Sequence, residues 1–336
     1  TLVPEQIDLG DWNAVEPLFD ALDRRLTACS TAAELEVWVL AGGELSAALD
    51  EEGTKRYIAM TCHTDDSDAE KAYLHFVERV EPEIKPRQFQ LAQAFLAHPC
   101  RKELPPERYE VFDRDTGLTV ELFREKNVAL ETEESKLGQQ YQKLSGSLTV
   151  RFRGEEKTLV QMGVLLEQTD RTVREEAWRL VAARRLTEAV SFENQFEEML
   201  RLRERIAANA GFENYRDYMF RKLGRFDYGP EDCEKFQAAV ETVIVPAVKA
   251  LQAKRKEQLG VAELRPWDLA VDPLNRSPLR PFEKVDQMVL RTQQVFDQLD
   301  PELAAGFRTM RELNLLDLDN RKGKAPGGYQ STLSEA

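Results

Sequence analysis

Apolar side chains recur at three- and four-residue spacing through most of this chain, a period that fits helices with one buried stripe and leaves little room for sheet. Val15, Leu18, Phe19, Leu22 and Leu26 form one such stripe. Hydroxyl residues followed three positions later by Glu or Gln have the spacing of a capping box, in which two side chains satisfy the amides left open at a helix start. Thr31 with Glu34, Ser67 with Glu70, Thr158 with Gln161 and Thr172 with Glu175 therefore predict four helix starts. The helical pattern runs from Asp11 to about Leu104, with Pro82 and Pro86 expected to interrupt it between the Tyr73–Val80 stripe and the apolar run from Phe89 to Leu96. Pro99, Pro105 and Pro106 mark a junction, and residues 108–144, rich in charge, read as one long solvated helix.

Two places break this period. Leu148, Val150 and Phe152 alternate ahead of Gly154, which predicts a short β-hairpin near 147–159. Leu316-Asp317-Leu318-Asp319 alternates ahead of a Gly/Pro-rich stretch ending in Pro326-Gly327-Gly328-Tyr329, which predicts a small sheet strand near 315–320 entering a tight turn. Elsewhere Gly211 is placed to stop a helix, and Pro246 to kink or divide one. The prolines between Arg265 and Pro281 mark a loop-rich connector before a helix over 282–299. The fold class is mainly α, in three regions: 1–104, 105–200 and 201–336.

Composition excludes several functions. Sixty acidic against 46 basic side chains leave a net charge of -14, which repels a phosphate backbone and argues against nucleic acid as a partner. No apolar run is long enough to cross a membrane, and the chain opens on a polar, acidic segment unlike a signal peptide, so a cytoplasmic location is expected. Cys29, Cys62, Cys100 and Cys233 are widely spaced and form no C-x-x-C pair, which reads as structural thiols.

Catalytic groups are hard to find. A helical zinc site needs two imidazoles four residues apart so that both nitrogens aim at one metal. His63, His75 and His98 lie at least twelve residues apart and none begins H-E-x-x-H. The acidic runs Asp113–Gly117 and Asp317–Asn320 miss the spacing of a calcium loop, so the first reads as a turn. Lys322-Gly323-Lys324 beside Gly327-Gly328 does not complete a phosphate-binding loop, and no G-x-S-x-G elbow occurs. No catalytic residue and no metal ligand is assigned within these residues.

Four segments nevertheless occur in a familiar order. Asp170-Arg171-Thr172-Val173-Arg174 follows the hairpin region, Gly211-Phe212-Glu213-Asn214-Tyr215 follows a long helix, Pro266-Trp267-Asp268 lies farther on, and the Leu/Asp run with its Gly-Gly-Tyr turn comes last. The set resembles the oligoendopeptidase F and thimet oligopeptidase family of zinc metallopeptidases, most clearly from about residue 110 onward. The resemblance implies a two-lobed, multi-helix peptidase body around a deep channel. It makes 105–200 an oligopeptidase F N-terminal-like module and 201–336 the start of a catalytic domain that stops short of its zinc helix.

By the same resemblance the cofactor is zinc, which polarises the scissile carbonyl and its bound water while the glutamate of H-E-x-x-H acts as general base. Both groups are expected beyond residue 336. Short peptides are the expected partners, and Gly327, Gly328 and Tyr329 the substrate-binding residues, because glycine admits close backbone approach. The expected function is thus the N-terminal part of a zinc metallo-oligopeptidase, inactive by itself. The alternative is a helical scaffold or peptide-binding protein without catalysis. Oligomeric state is not legible in the sequence.

Overall fold

Helix starts in this chain are decided by which side-chain acceptor lies nearest the open amides. The computed structural model describes residues 1–333. Thr31 accepts from the amide of Glu34 while the Glu34 carboxylate returns to the amides of Ser30 and Thr31, opening the helix Ala32–Cys62. Thr158 and Gln161 do the same for the short helix Leu159–Gly163. The other two predicted caps are displaced upstream. Asp66, not Ser67, caps Ser67–His75, and Asp170, not Thr172, caps Arg171–Leu186. A carboxylate makes the same bond and also meets the positive end of the helix dipole.

Pro82 does not break its helix. Ser67–His75 passes through a wider π turn, Phe76–Val80, directly into Glu81–Ala97, and the Glu81 amide bonds to the Phe76 carbonyl. Proline lacks an N–H and its ring crowds the carbonyl one turn back, and the extra residue in the π turn relieves both problems. The same device precedes Pro246, where the π turn Val240–Ile244 joins Pro230–Ala239 to Val245–Leu259.

The long helix expected over 108–144 is two helices, Pro106–Leu122 and Glu125–Ser147. Phe123 turns extended and its ring stacks on Phe89 at 4.3 Å, while Arg124 donates to the carbonyls of Glu121, Phe123 and Ala210. Those bonds satisfy the ends that the break leaves open. Asp113–Gly117 is helix interior rather than a turn, with Asp113 paired to Arg101.

The chain divides into two compact units. The first comprises residues 1–145, 190–238 and the stretch from Gly327 onward, and the second residues 146–189 and 239–326. In the first unit Val15, Phe19, Leu22, Leu35, Leu45 and Phe95 pack one core, and Leu118, Leu130, Leu202, Ile206 and Tyr218 a second. In the second unit Val150, Phe152, Met162 and Ala177 form a smaller core.

The hairpin forms as expected, Thr149–Phe152 against Glu155–Thr158, antiparallel with Thr149 opposite Thr158. Arg153 and Gly154 turn it at φ 50° and 91°. The strand expected near 315–320 does not form, because among the described residues the only ladder is the hairpin itself. Asp317 instead accepts both guanidinium nitrogens of Arg321, and the Lys324 ammonium reaches the carbonyls of Asp317 and Asp319. These local bonds take groups that a neighbouring strand would need. The segment meets the hairpin through side chains: Thr158 Oγ1 donates to Asn320 Oδ1 at 2.6 Å, and Lys322 pairs with Glu156 at 2.9 Å.

Candidate functional site

Two of the four ordered segments meet in the second unit. Asp268 is fully buried and accepts from Arg171 at 3.0 and 2.8 Å, from Arg174 at 3.0 Å and from the Arg265 amide at 3.0 Å. Arg174, also buried, donates from Nε and Nη1 to the carbonyls of Trp267, Gln168 and Thr169. Burial pushes the Asp268 carboxyl up, but the Arg171, Arg265 and Arg174 hydrogen bonds outweigh it and hold the pKa at about 2. Trp267 packs on Trp178 at 5.5 Å, with the Arg179 guanidinium over its ring at 5.0 Å. Each of the three Arg174 nitrogens donates within the protein, so this is a structural clamp joining the Arg171–Leu186 helix to the Pro266–Asp268 turn rather than a reactive centre. Neither segment alone signals the pairing, since they lie more than ninety residues apart.

Gly211-Phe212-Glu213-Asn214-Tyr215 is equally architectural. Gly211 at φ 91° ends the helix Ala189–Ala210, with the Phe212 amide bonding back to the Ala207 carbonyl, and Asn214 then caps Tyr215–Lys222 by accepting from the Asp217 amide. Phe212, Tyr215 and Tyr218 pack together, and burial first, with Glu131 and Glu134 adding to it, pushes the Tyr218 phenol up to about 12.

The predicted substrate-binding residues begin the last stretch of the first unit. Gly327 has φ 101°, while Gly328 has an ordinary backbone, and a Cβ at either position would meet open space. Tyr329 is 53% exposed, yet its hydroxyl lies 2.5 Å from Thr61 Oγ1 and its ring sits 5.8 Å from Tyr57. Tyr57 in turn meets Tyr73 at 5.8 Å. A run of three rings thus fixes the segment to the Ala32–Cys62 helix, and Ser331 then reaches the wall of a cavity of about 480 Å³. Gly327→Ala is expected to strain this backbone by about 1–3 kcal/mol and to raise amide hydrogen exchange over residues 329–333. Gly328→Ala should leave that exchange unchanged.

The histidines serve the fold. His63 ends the Ala32–Cys62 helix, His75 Nε2 lies 3.2 Å from the Gly10 carbonyl, and His98 Nδ1 accepts from the Cys100 amide. All four cysteine sulfurs are thiols. Among the described residues no three His, Cys, Asp or Glu side chains are grouped to hold a metal, so the donor set present does not fit a zinc ion. No helix is long and apolar enough to cross a membrane.

Comparison with known proteins places this geometry. Residues 6–123 match the Peptidase M3 N-terminal domain, and residues 164–336 match Peptidase family M3. Among solved structures the chain is similar to PZ peptidase A with inhibitor 2, at 26% identity and a TM-score of 0.91, covering 99% of this chain and 59% of that one. A putative oligoendopeptidase F from Bacillus anthracis str. Ames shares the fold at 22% identity and a TM-score of 0.91, over 98% and 60% of the two chains. Another putative oligoendopeptidase F matches at 25% identity and a TM-score of 0.90, over 97% and 57%. No curated protein sequence matches it. The chain therefore spans less than two thirds of the length of these neighbours. With more than half of its residues matched by the family itself, the chain belongs to peptidase family M3.

Proposed function

We propose that residues 1–336 form the N-terminal, substrate-channel portion of an oligoendopeptidase F-like zinc metallopeptidase that hydrolyses short unstructured peptides in the cytoplasm. The family match and the fold shared with two oligoendopeptidases support the peptidase reading. The observation that carries the division of labour is the dispersal of His63, His75 and His98 into three separate structural roles. Zinc and its general base are accordingly assigned to sequence outside these residues, and no chemical step is assigned to the groups present.

What this portion contributes is binding. Gly327 and Gly328 expose backbone to an arriving peptide, and Tyr329, held by Thr61 and Tyr57, offers a fixed aromatic edge beside it. Prior fixation of that ring reduces the entropy a bound peptide would otherwise cost.

Residues 1–336, purified alone, are expected to retain no tightly held zinc in metal analysis and to leave an internally quenched peptide intact with or without added zinc. One zinc per chain together with chelator-sensitive cleavage would overturn the assignment.

A further inference from the structure

The cavity behind Tyr329 lies wholly within the first unit, between the Ala32–Cys62 helix and the helical run through Tyr73, Phe76 and Glu81–Ala97, with a volume of about 480 Å³. Its lining combines aromatic rings with carboxylates. Tyr57, Tyr73 and Phe76 supply the rings, and Asp50, Glu81 and Lys85 the charges. Gly53 sets how far the Phe76 ring reaches in, since a Cβ there would meet Phe76 Cε1 at 3.0 Å.

The charges do not cancel. Lys85 lies 2.9 Å from Glu131, behind the lining, and 3.7 Å from Glu81, while Lys222 lies 3.8 Å from Glu131 on its other side. Two lysines thus already serve two carboxylates, and Asp50 adds a third that, among the described residues, has no ion pair or side-chain hydrogen bond. Burial, the largest cause in each case, pushes both the Asp50 and Glu81 carboxyls up, with Lys85 only partly opposing it at Glu81. Partly desolvated, under-compensated carboxylates beside ring faces are what a cation with an apolar stem would neutralise.

We propose that this cavity is a subsite for a basic side chain, the guanidinium or ammonium group of an arginine or lysine in a bound peptide, with Asp50 and Glu81 as its counter-charges. The proposal rests on the peptide-channel reading and adds a substrate class to it. The cavity is of a size to take one long side chain, and Ser331 connects its wall to the Tyr329 segment that would hold the peptide backbone. The arrangement also predicts an unusual stability signature. Carboxylates that are costly to keep charged in the folded protein oppose folding when no cation is bound, so their neutral replacements should stabilise it while removing the binding preference.

The experiment titrates residues 1–336 by fluorescence anisotropy with two labelled peptides, identical except for one arginine replaced by norleucine. The arginine peptide is expected to bind about tenfold more tightly. In D50N/E81Q that preference should vanish, and the melting temperature of the protein without peptide should rise. Equal binding of both peptides by the unsubstituted chain would overturn the basic subsite while leaving the channel reading in place. Failure of both peptides to bind would overturn the two together. A preference that survives in D50N/E81Q, or a melting temperature that falls, would assign these carboxylates to the fold and overturn the proposal.

Discussion

Asp268→Ala is expected to lower the unfolding free energy of the second unit by about 3–5 kcal/mol, because it leaves Arg174 charged and buried without its carboxylate. Denaturant unfolding followed by Trp fluorescence provides the measurement, since Trp267 and Trp178 report directly from the clamp. Asp268→Asn keeps the shape and one acceptor, so its loss should be smaller but of the same sign. The acid dependence has a definite direction. The folded carboxyl titrates at about 2 against an ordinary 3.8, so its contribution is complete above the ordinary value and is lost as pH falls through about 2. The difference in melting temperature between the unsubstituted chain and D268N should therefore be full at pH 7 and narrow steadily from pH 4 to pH 2. A difference that stays constant across that range would show that the clamp owes nothing to charge.

Trp38→Ala should cost a similar amount, about 3–5 kcal/mol, by a different mechanism. Trp38 is 5% exposed, stacks on Phe95 at 6.0 Å with rings 8° from parallel, and donates its indole N–H to the Leu22 carbonyl at 2.9 Å. Truncation empties a large volume between three helical segments and removes the indole hydrogen bond to that carbonyl. No carboxylate titration is involved, so the loss should show no acid dependence of the kind expected at Asp268. Hydrogen exchange separates the two substitutions further: W38A should expose amides in Trp12–Ala28 and Ala32–Cys62, and D268A those in Arg171–Leu186. Loss of protection confined to the opposite unit in either case would contradict the assignment of these contacts.

The helices were legible where their apolar spacing was regular, as in the stripe through Val15, Phe19, Leu22 and Leu26, all buried in the first core. The hairpin was legible because alternation in Leu148, Val150 and Phe152 ends at a glycine that turns at φ 91°. The prolines at 82 and 86 misled. Pro82 signals a break only if the preceding turn keeps its α geometry, and a π turn removes that condition, while Pro86 sits inside Glu81–Ala97. The Leu316–Asp319 alternation misled for another reason: period two describes which way side chains point, but a strand also needs a partner for its amides. Arg321 and Lys324, only a few residues on, bind the Asp317 carboxylate and nearby carbonyls locally instead.

Gly327, Gly328 and Tyr329 stood out in the sequence as a turn with a ring at its end, but nothing in that sequence points to Thr61 or Tyr57, about 270 residues away along the chain. The cavity was equally hidden. Asp50 and Glu81 are two among sixty acidic side chains, and the upward push on their carboxyls depends on how far the neighbouring helices cover them.

By itself the sequence determined local matters: which stretches are helical, where the hairpin turns, and that no pair of imidazoles is spaced for a metal. Those follow from backbone sterics and side-chain spacing, which act over a few residues. Only the tertiary structure decided that Arg171, Arg174 and Asp268 form one clamp, that Tyr329 is fixed on Thr61, and that a carboxylate-lined cavity lies beside it. Burial and charge pairing are properties of surroundings assembled from distant parts of the chain, so no local pattern can carry them.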